Sequence, residues 1–144
     1  MTRASVVDAD TGDVLGAIDI GLVALICADP DDTPDDCAFF ARKIAAMRLF
    51  EDDAGKMNRS VLDAGGKVLA VSQFTLAADW RRGNRPGFSR AADPETAKHL
   101  YDIFCDMLKD QGVEVATGRF RTAMQIELVN DGPVTIWMDS KKPA

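Results

Sequence analysis

The chain has 144 residues, 47% of them apolar and 28% charged, with a formal net charge of −6. That length suits one globular domain, which at this size buries about two-thirds of the surface its unfolded chain exposes and needs no disulfide or metal staple. The longest apolar run, Ile20 to Ala28, is too short to cross a bilayer, and Met1-Thr2-Arg3-Ala4-Ser5 carries no signal-type apolar region, so a cytoplasmic protein without a membrane partner is expected.

From the N-terminus, Ser5-Val6-Val7, a turn around Asp10-Thr11-Gly12-Asp13, and Val14-Leu15 predict a hairpin. Ile20 to Ala28 leaves no polar face and predicts a strand buried on both sides. Acid then concentrates in Asp29-Pro30-Asp31-Asp32-Thr33-Pro34-Asp35-Asp36. There Thr33 as N-cap, Pro34 at N1 and Asp36 at N3 announce a first helix, with an apolar stripe of Cys37, Phe40, Ala41, Ile44 and Met47. Lys67 to Leu76 predicts a central strand. The densest basic stretch, Arg81 to Arg90, follows it. A chain this acidic makes a poor general nucleic-acid coat, but a local basic loop can still grip a short piece of RNA.

Asp93 as cap, Pro94 at N1 and Gly112 just past the end delimit a second helix with the stripe Ala97, Leu100, Tyr101, Phe104 and Leu108. His99 lies opposite that stripe beside Asp102, Asp106 and Asp110, and reads as solvated, not catalytic. Val113 to Thr117 and Met124 to Leu128 predict strands, the latter with one wet face. Asn130-Asp131-Gly132-Pro133 then interrupts the chain before a last strand, Val134 to Met138, in which Trp137 alternates with Ile136 and Met138. The pattern is that of one α/β domain with mixed or antiparallel sheet and two main helices.

The chemical repertoire is narrow. A single histidine rules out a two-histidine metal site within one chain. Cys27, Cys37 and Cys105 contain no CxxC and read as reduced, mostly structural thiols. No metal and no cofactor is expected. Two features depart from what a core needs. In Ser72-Gln73-Phe74-Thr75, three hydrogen-bonding side chains end an apolar strand, each of which needs a partner or costs about 1–3 kcal/mol. Strand parity puts Gln73 and Thr75 on one face; the segment either serves neighbouring loops or forms a site. Gly132-Pro133 stands between two strands, where proline marks an edge, turn or bulge. It is either a plain turn or a rigid, side-chain-poor wall.

Together with Thr2-Arg3-Ala4-Ser5-Val6, Gly55-Lys56-Met57-Asn58, Arg85-Pro86-Gly87-Phe88, Leu100-Tyr101 with Phe104, and Gly118-Arg119-Phe120, the segments Ser72–Leu76 and Asn130–Thr135 resemble the D-aminoacyl-tRNA deacylases over essentially the whole chain. The resemblance implies one deacylase domain over residues 1–144, with two main helices packed on one side of its sheets. It also implies a homodimeric hydrolase that cleaves the ester between a D-amino acid, or glycine, and the tRNA 3′-terminal adenosine. The partners are then the aminoacyl-tRNA 3′ end and a second copy of the chain, not DNA. In that family the Gly-Pro bond is cis and enters the partner subunit's site. Carried over, Gly132 and Pro133 hold the α-amino group and leave no room for an L-side chain. Backbone N–H groups near Phe74 and Thr75 face the oxyanion, with Ser72 in the same segment, and Gln73 orients water or ribose. Thr75 has no base beside it; the substrate's 2′-OH then assists hydrolysis and Thr75 positions. Ala97 forms a wall for the adenosine and presents helix N–H groups to an anion, or is an ordinary core alanine.

Three departures from the family pattern stand out. A short apolar strand normally precedes the Thr2–Val6 segment, whereas Met1 begins almost on top of it, so either a missing strand or a longer natural start is expected. Arg121-Thr122-Ala123 replaces smaller residues, and Gly87 stands where serine is common. Two competing readings are a non-catalytic RNA- or protein-binding homologue and an editor of mischarged L-aminoacyl-tRNA; a trans Gly-Pro bond favours the latter.

Overall fold

The computed structural model describes residues 1–141. In chain order it contains β1 (Arg3–Asp8), β2 (Val14–Ile18), β3 (Gly21–Ile26), α1 (Pro34–Ala46), β4 (Phe50–Glu51), β5 (Met57–Arg59), β6 (Lys67–Ser72), a 3-10 turn (Phe74–Ala77), α2 (Pro94–Asp110), β7 (Glu114–Thr117) and β8 (Met124–Val129). The strands form an antiparallel sheet β2-β1-β8, a parallel sheet β3-β6-β7 and a small β4-β5 hairpin.

Strand β6 shows why its sequence is apolar at consecutive positions. Leu69 and Val71 face the antiparallel sheet and pack with Ala4, Val6 and Ile18, while Val68 and Ala70 face the helices and pack with Ala41, Leu100, Phe104 and Leu108. A parallel strand covered on both faces has no wet side to advertise. The result is three layers: antiparallel sheet, parallel sheet, and both helices together on the far side. Fully burying a side chain such as Leu69 contributes about 1.5–3 kcal/mol. The layers approach closely where glycine permits it. A Cβ on Gly16 of β2 would stand 2.5 Å from the Thr117 carbonyl oxygen of β7.

Both helix starts are as the sequence predicts. Asp36 accepts the Thr33 N–H at 2.9 Å, and Asp93 accepts that of Thr96 at 3.2 Å. The Thr33 N–H holds the Asp36 carboxyl below the ordinary carboxylate range, and the Thr96 hydroxyl followed by its N–H does the same for Asp93, as the anion is the form that accepts these bonds. The chain start is stitched in by Thr2 N–H to Val129 O and Gly21 N–H to Met1 O.

Two predicted strands are corrected. The Lys67–Leu76 strand stops at Ser72, because its neighbours run out: β3 pairs only as far as Ile26 opposite Ser72, and β7 only as far as Thr117 opposite Ala70. The chain then coils into the 3-10 turn. Val134 to Met138 forms no strand, and no strand of the described chain pairs with it. The β4-β5 hairpin was not predicted. Its turn forms where the Asp52 carboxylate accepts the N–H groups of Ala54 and Lys56.

Candidate active site at the carboxyl edge of the parallel sheet

Parallel strands that end side by side must send the chain away in different directions, which opens a crevice at their carboxyl ends. Here β3 and β6 end in register, and the Gln73 N–H donates to the Ile26 carbonyl at 2.7 Å. Beyond them lies a cavity of about 670 Å³, lined in part by Ser72, Gln73, Phe74, Ala97, Cys27 and Phe120. Four of the seven residues singled out in the sequence therefore share one wall system. Thr75 joins them by contact, since the Gln73 amide Nε2 donates to Thr75 Oγ1. The two do meet, but across a 3-10 turn and not along the face of a strand.

That turn leaves backbone donors free. Leu76 N–H is taken by the Gln73 carbonyl at 3.2 Å and Ala78 N–H by that of Thr75 at 3.1 Å. Among the described residues no acceptor takes the N–H groups of Phe74 or Thr75, as befits the first residues of a helical turn. The turn is anchored from outside. Phe74 packs edge-on against Phe88 with ring centroids 5.1 Å apart. The Cys27 thiol donates to the Phe74 carbonyl at 3.6 Å. Burial, reinforced by the carboxylate of Asp29, pushes the Cys27 thiol up, so it stays protonated and serves as a donor.

Helix α2 forms the opposite wall. Tyr101 Oη donates to the Ala70 carbonyl at 2.6 Å, which ties the helix to β6. Ala97 lies one turn earlier on the same face and is half-buried. Its expected anion-binding role is corrected. Its N–H is bonded to the Asp93 carbonyl at 2.9 Å and that of Thr96 to the Asp93 carboxylate, so neither is free. What Ala97 supplies is space.

The third wall comes from the segment before β8. Buried Asp8 accepts the N–H groups of Asp10 and Thr11 and pairs with Arg119 at 3.3 Å. The two N–H bonds are the main reason its carboxyl is held low. This latch fixes the segment that carries Phe120 to the end of β1. Arg121 follows with φ of +58°, a left-handed conformation that a side chain with a Cβ adopts at a cost.

Gly132 and Pro133 are elsewhere. Their peptide bond is cis, both residues are exposed, and neither lines the cavity. Asn130 holds the segment locally: its Oδ1 accepts the Val134 N–H at 3.3 Å and its Nδ2 donates to Thr135 Oγ1 at 3.1 Å. Trp137 beyond it is 68% exposed, and Val134 and Ile136 are also exposed. The chain then returns to α1, where Lys141 pairs with Asp36 at 3.4 Å. His99 is exposed, as its helical position predicts. Among the described residues no group of His, Cys, Asp and Glu side chains could hold a metal ion, and no helix is long and apolar enough to cross a membrane.

Sequence reasoning missed Cys27, Phe88 and Phe120. Phe88 and Phe120 lay in segments with a visible signal, the Arg85-Pro86-Gly87-Phe88 and Gly118-Arg119-Phe120 stretches, but neither was assigned to the site. Cys27 could have been found only by knowing that β3 lies parallel to β6, which brings the residue after Ile26 beside the residue after Ser72.

Comparison with known proteins bears on the family and the fold of the chain. A family model described as D-Tyr-tRNA(Tyr) deacylase matches residues 1–139. A D-aminoacyl-tRNA deacylase of Anaeromyxobacter dehalogenans is 56% identical over 131 residues, which cover 91% of this chain and 88% of that protein. One of Ruegeria pomeroyi is 57% identical over 128 residues, covering 89% and 88%. Among solved structures, a protein described as c-Myc DNA Unwinding Element Binding Protein aligns with a TM-score of 0.88 at 37% identity, covering 99% of this chain and 95% of that one. A probable eukaryotic D-amino acid tRNA deacylase shares the fold alone, with a TM-score of 0.73 at 14% identity over 88% of each chain.

Proposed function

This chain belongs to the D-Tyr-tRNA(Tyr) deacylase family, and we propose that it hydrolyses D-aminoacyl-tRNA in the cavity at the end of β6, using backbone groups in place of a catalytic dyad. The observation that carries this reading is the pair of unpartnered N–H groups on Phe74 and Thr75 beside the cavity.

In this mechanism water attacks the ester carbonyl carbon, and the carbonyl oxygen becomes an oxyanion facing those two donors. One such donor is worth about 2.7–4 kcal/mol of transition-state stabilisation. The intermediate collapses with cleavage of the bond to the ribose 3′ oxygen, which takes up a proton as it leaves. Free D-amino acid and tRNA result. The ribose 2′-OH assists the proton transfers, because no base lies beside Thr75 and a threonine hydroxyl is a weak nucleophile without one. Gln73, bonded to Thr75, orients water or ribose. Ser72 completes the wall, and Ala97 leaves room for the adenine.

Gly132 and Pro133 complete the site from a second copy of the chain. Support comes from their exposure, their position off their own chain's cavity and the exposed apolar side chains that follow them. In that arrangement they contact the α-amino group and fill the space of an L-side chain. A D-side chain points outward, and glycyl-tRNA, with no side chain to exclude, is also cleaved. The whole of residues 1–144 acts as one deacylase domain in the cytoplasm.

The direct test compares D-tyrosyl-tRNA with L-tyrosyl-tRNA in the presence of chelator. Rapid loss of the D-ester alone is expected. Loss of both would indicate an open editing pocket, and loss of neither a non-catalytic homologue. Mixing a Thr75→Pro variant with a Gly132→Ala variant tests the shared site. If each is inactive alone, exchange of subunits restores one intact site per mixed dimer and part of the activity.

A further inference from the structure

The loop between the 3-10 turn and α2 is unlike the rest of the surface. Within Asp79 to Arg90 stand Arg81, Arg82, Arg85 and Arg90 against the single acid Asp79, in a chain of net charge −6. All four arginines are exposed, and among the described residues none forms an ion pair. A large apolar side chain sits in their midst: Trp80 is 69% exposed, with the Arg81 guanidinium 5.1 Å from its ring centroid. An indole left in water beside a cation gains little from folding.

The loop also has a fixed root. Asp79 and Gly87 exchange both backbone hydrogen bonds, at 2.7 and 3.0 Å, which closes the loop at its neck. The next residue, Phe88, lines the cavity and packs on Phe74. Asp79 also accepts the Arg81 N–H, which turns the chain just after Trp80. Trp80 and Arg81 therefore stand next to the fixed neck, near the Phe88 wall of the cavity, with Arg82 and Arg85 in the loop that the neck closes.

We infer that the Asp79–Arg90 loop is a binding surface for the single-stranded 3′ end of the RNA, with Trp80 stacking on a base upstream of the terminal adenosine and Arg82 and Arg85 meeting phosphates. This rests on the reading above, since a strand whose last nucleotide enters the cavity must leave past the loop root. An aromatic face combined with arginines is the chemistry by which single strands are held without sequence preference. It also resolves the charge paradox of an acidic chain with a polyanionic substrate, because the positive potential is confined to the exit path.

The test uses the full chain with three probes: uncharged tRNA, D-tyrosyl-tRNA, and D-tyrosyl-adenosine, which has the ester but no upstream strand. Trp80→Ala is expected to weaken uncharged tRNA binding and raise KM for D-tyrosyl-tRNA about tenfold, with kcat kept. The same variant should treat D-tyrosyl-adenosine as wild type does. Arg82→Ala with Arg85→Ala should flatten the dependence of log kcat/KM on log salt by about 1.4 for the tRNA ester alone. Tryptophan fluorescence of wild type should be quenched by an uncharged ACCA oligoribonucleotide, and that quenching should be absent in Trp80→Ala. Unchanged tRNA affinity in Trp80→Ala, or equal slowing of tRNA and adenosine esters, overturns the inference. A wild type that cleaves neither ester, yet binds tRNA through Trp80, defeats the hydrolase reading and leaves this inference supported.

Discussion

The turn after β6 and the turn after β8 carry the two most informative motifs of this chain, and the fold treats them in opposite ways. Ser72 to Thr75 is tied down at three points although Phe74 and Thr75 are exposed: to β3 through Ile26, to Phe88 through an aromatic edge, to Cys27 through a thiol bond. Gly132 and Pro133 sit on an exposed segment whose recorded hydrogen bonds are local ones to Asn130. The first turn, with two N–H groups left without an acceptor among the described residues, has the rigidity that the proposed oxyanion role requires. The second is held in shape by its own sequence and can be presented to something outside the chain. Under the proposed function, a site divided in this way separates bond cleavage from chiral selection.

The largest effect that would sharpen this contrast is expected from Gly132→Ala. Gly132 has φ of +148°, and a Cβ there would stand 3.0 Å from Val134 N. The variant should lose D-tyrosyl-tRNA hydrolysis about 10²-fold or begin to cleave the L-ester, while its melting temperature stays near wild type because the segment is exposed. Unchanged activity and selectivity would remove Gly132 from the site.

A smaller loss should follow at the other turn. Thr75→Ala is expected to lower kcat about tenfold, by freeing Gln73, with Thr75→Ser restoring most of it. A loss as large as about 10⁴-fold, the scale of a missing nucleophile, would contradict the positioning role.

Next in size is Arg121→Gly, which tests the wall and not the chemistry. Glycine relieves the left-handed backbone at φ +58°, so the midpoint of chemical denaturation should rise by about 0.5–1 kcal/mol equivalent. A destabilised variant would mean that the Arg121 side chain holds the loop. The smallest effect belongs to His99→Ala. An exposed residue on the polar face of α2 should change neither turnover nor its pH profile between pH 6 and 8 beyond measurement error of about 20%. A large rate loss would overturn the reading of a site without histidine.

Local chemistry made much of this molecule legible. Thr33-Pro34 and Asp93-Pro94 announce their helices because a cap and a proline act within one turn of chain. Leu100, Tyr101 and Phe104 declare a buried face because helical spacing is fixed. Ser72-Gln73-Phe74-Thr75 stands out as polar groups closing an apolar strand, and Gly132-Pro133 as a break before apolar residues. The end of β6 was not legible, since a strand extends only as far as its neighbours do, and those are set by residues more than 40 positions away at Ile26 and Thr117.

The same limit explains the rest. Sequence alone determined both helices with their caps, the N-terminal hairpin, the core stripes, the single exposed histidine and the family, all of which depend on residue identity and short spacing. Only the tertiary structure decided that β3 lies parallel to β6, that Cys27 and Phe88 brace the turn, that Ala97 has no free N–H to give, and that Val134 to Met138 forms no strand within the described chain. Each of these depends on which distant backbone satisfies a hydrogen bond or covers an apolar face, and that pairing is a property of the packed chain as a whole.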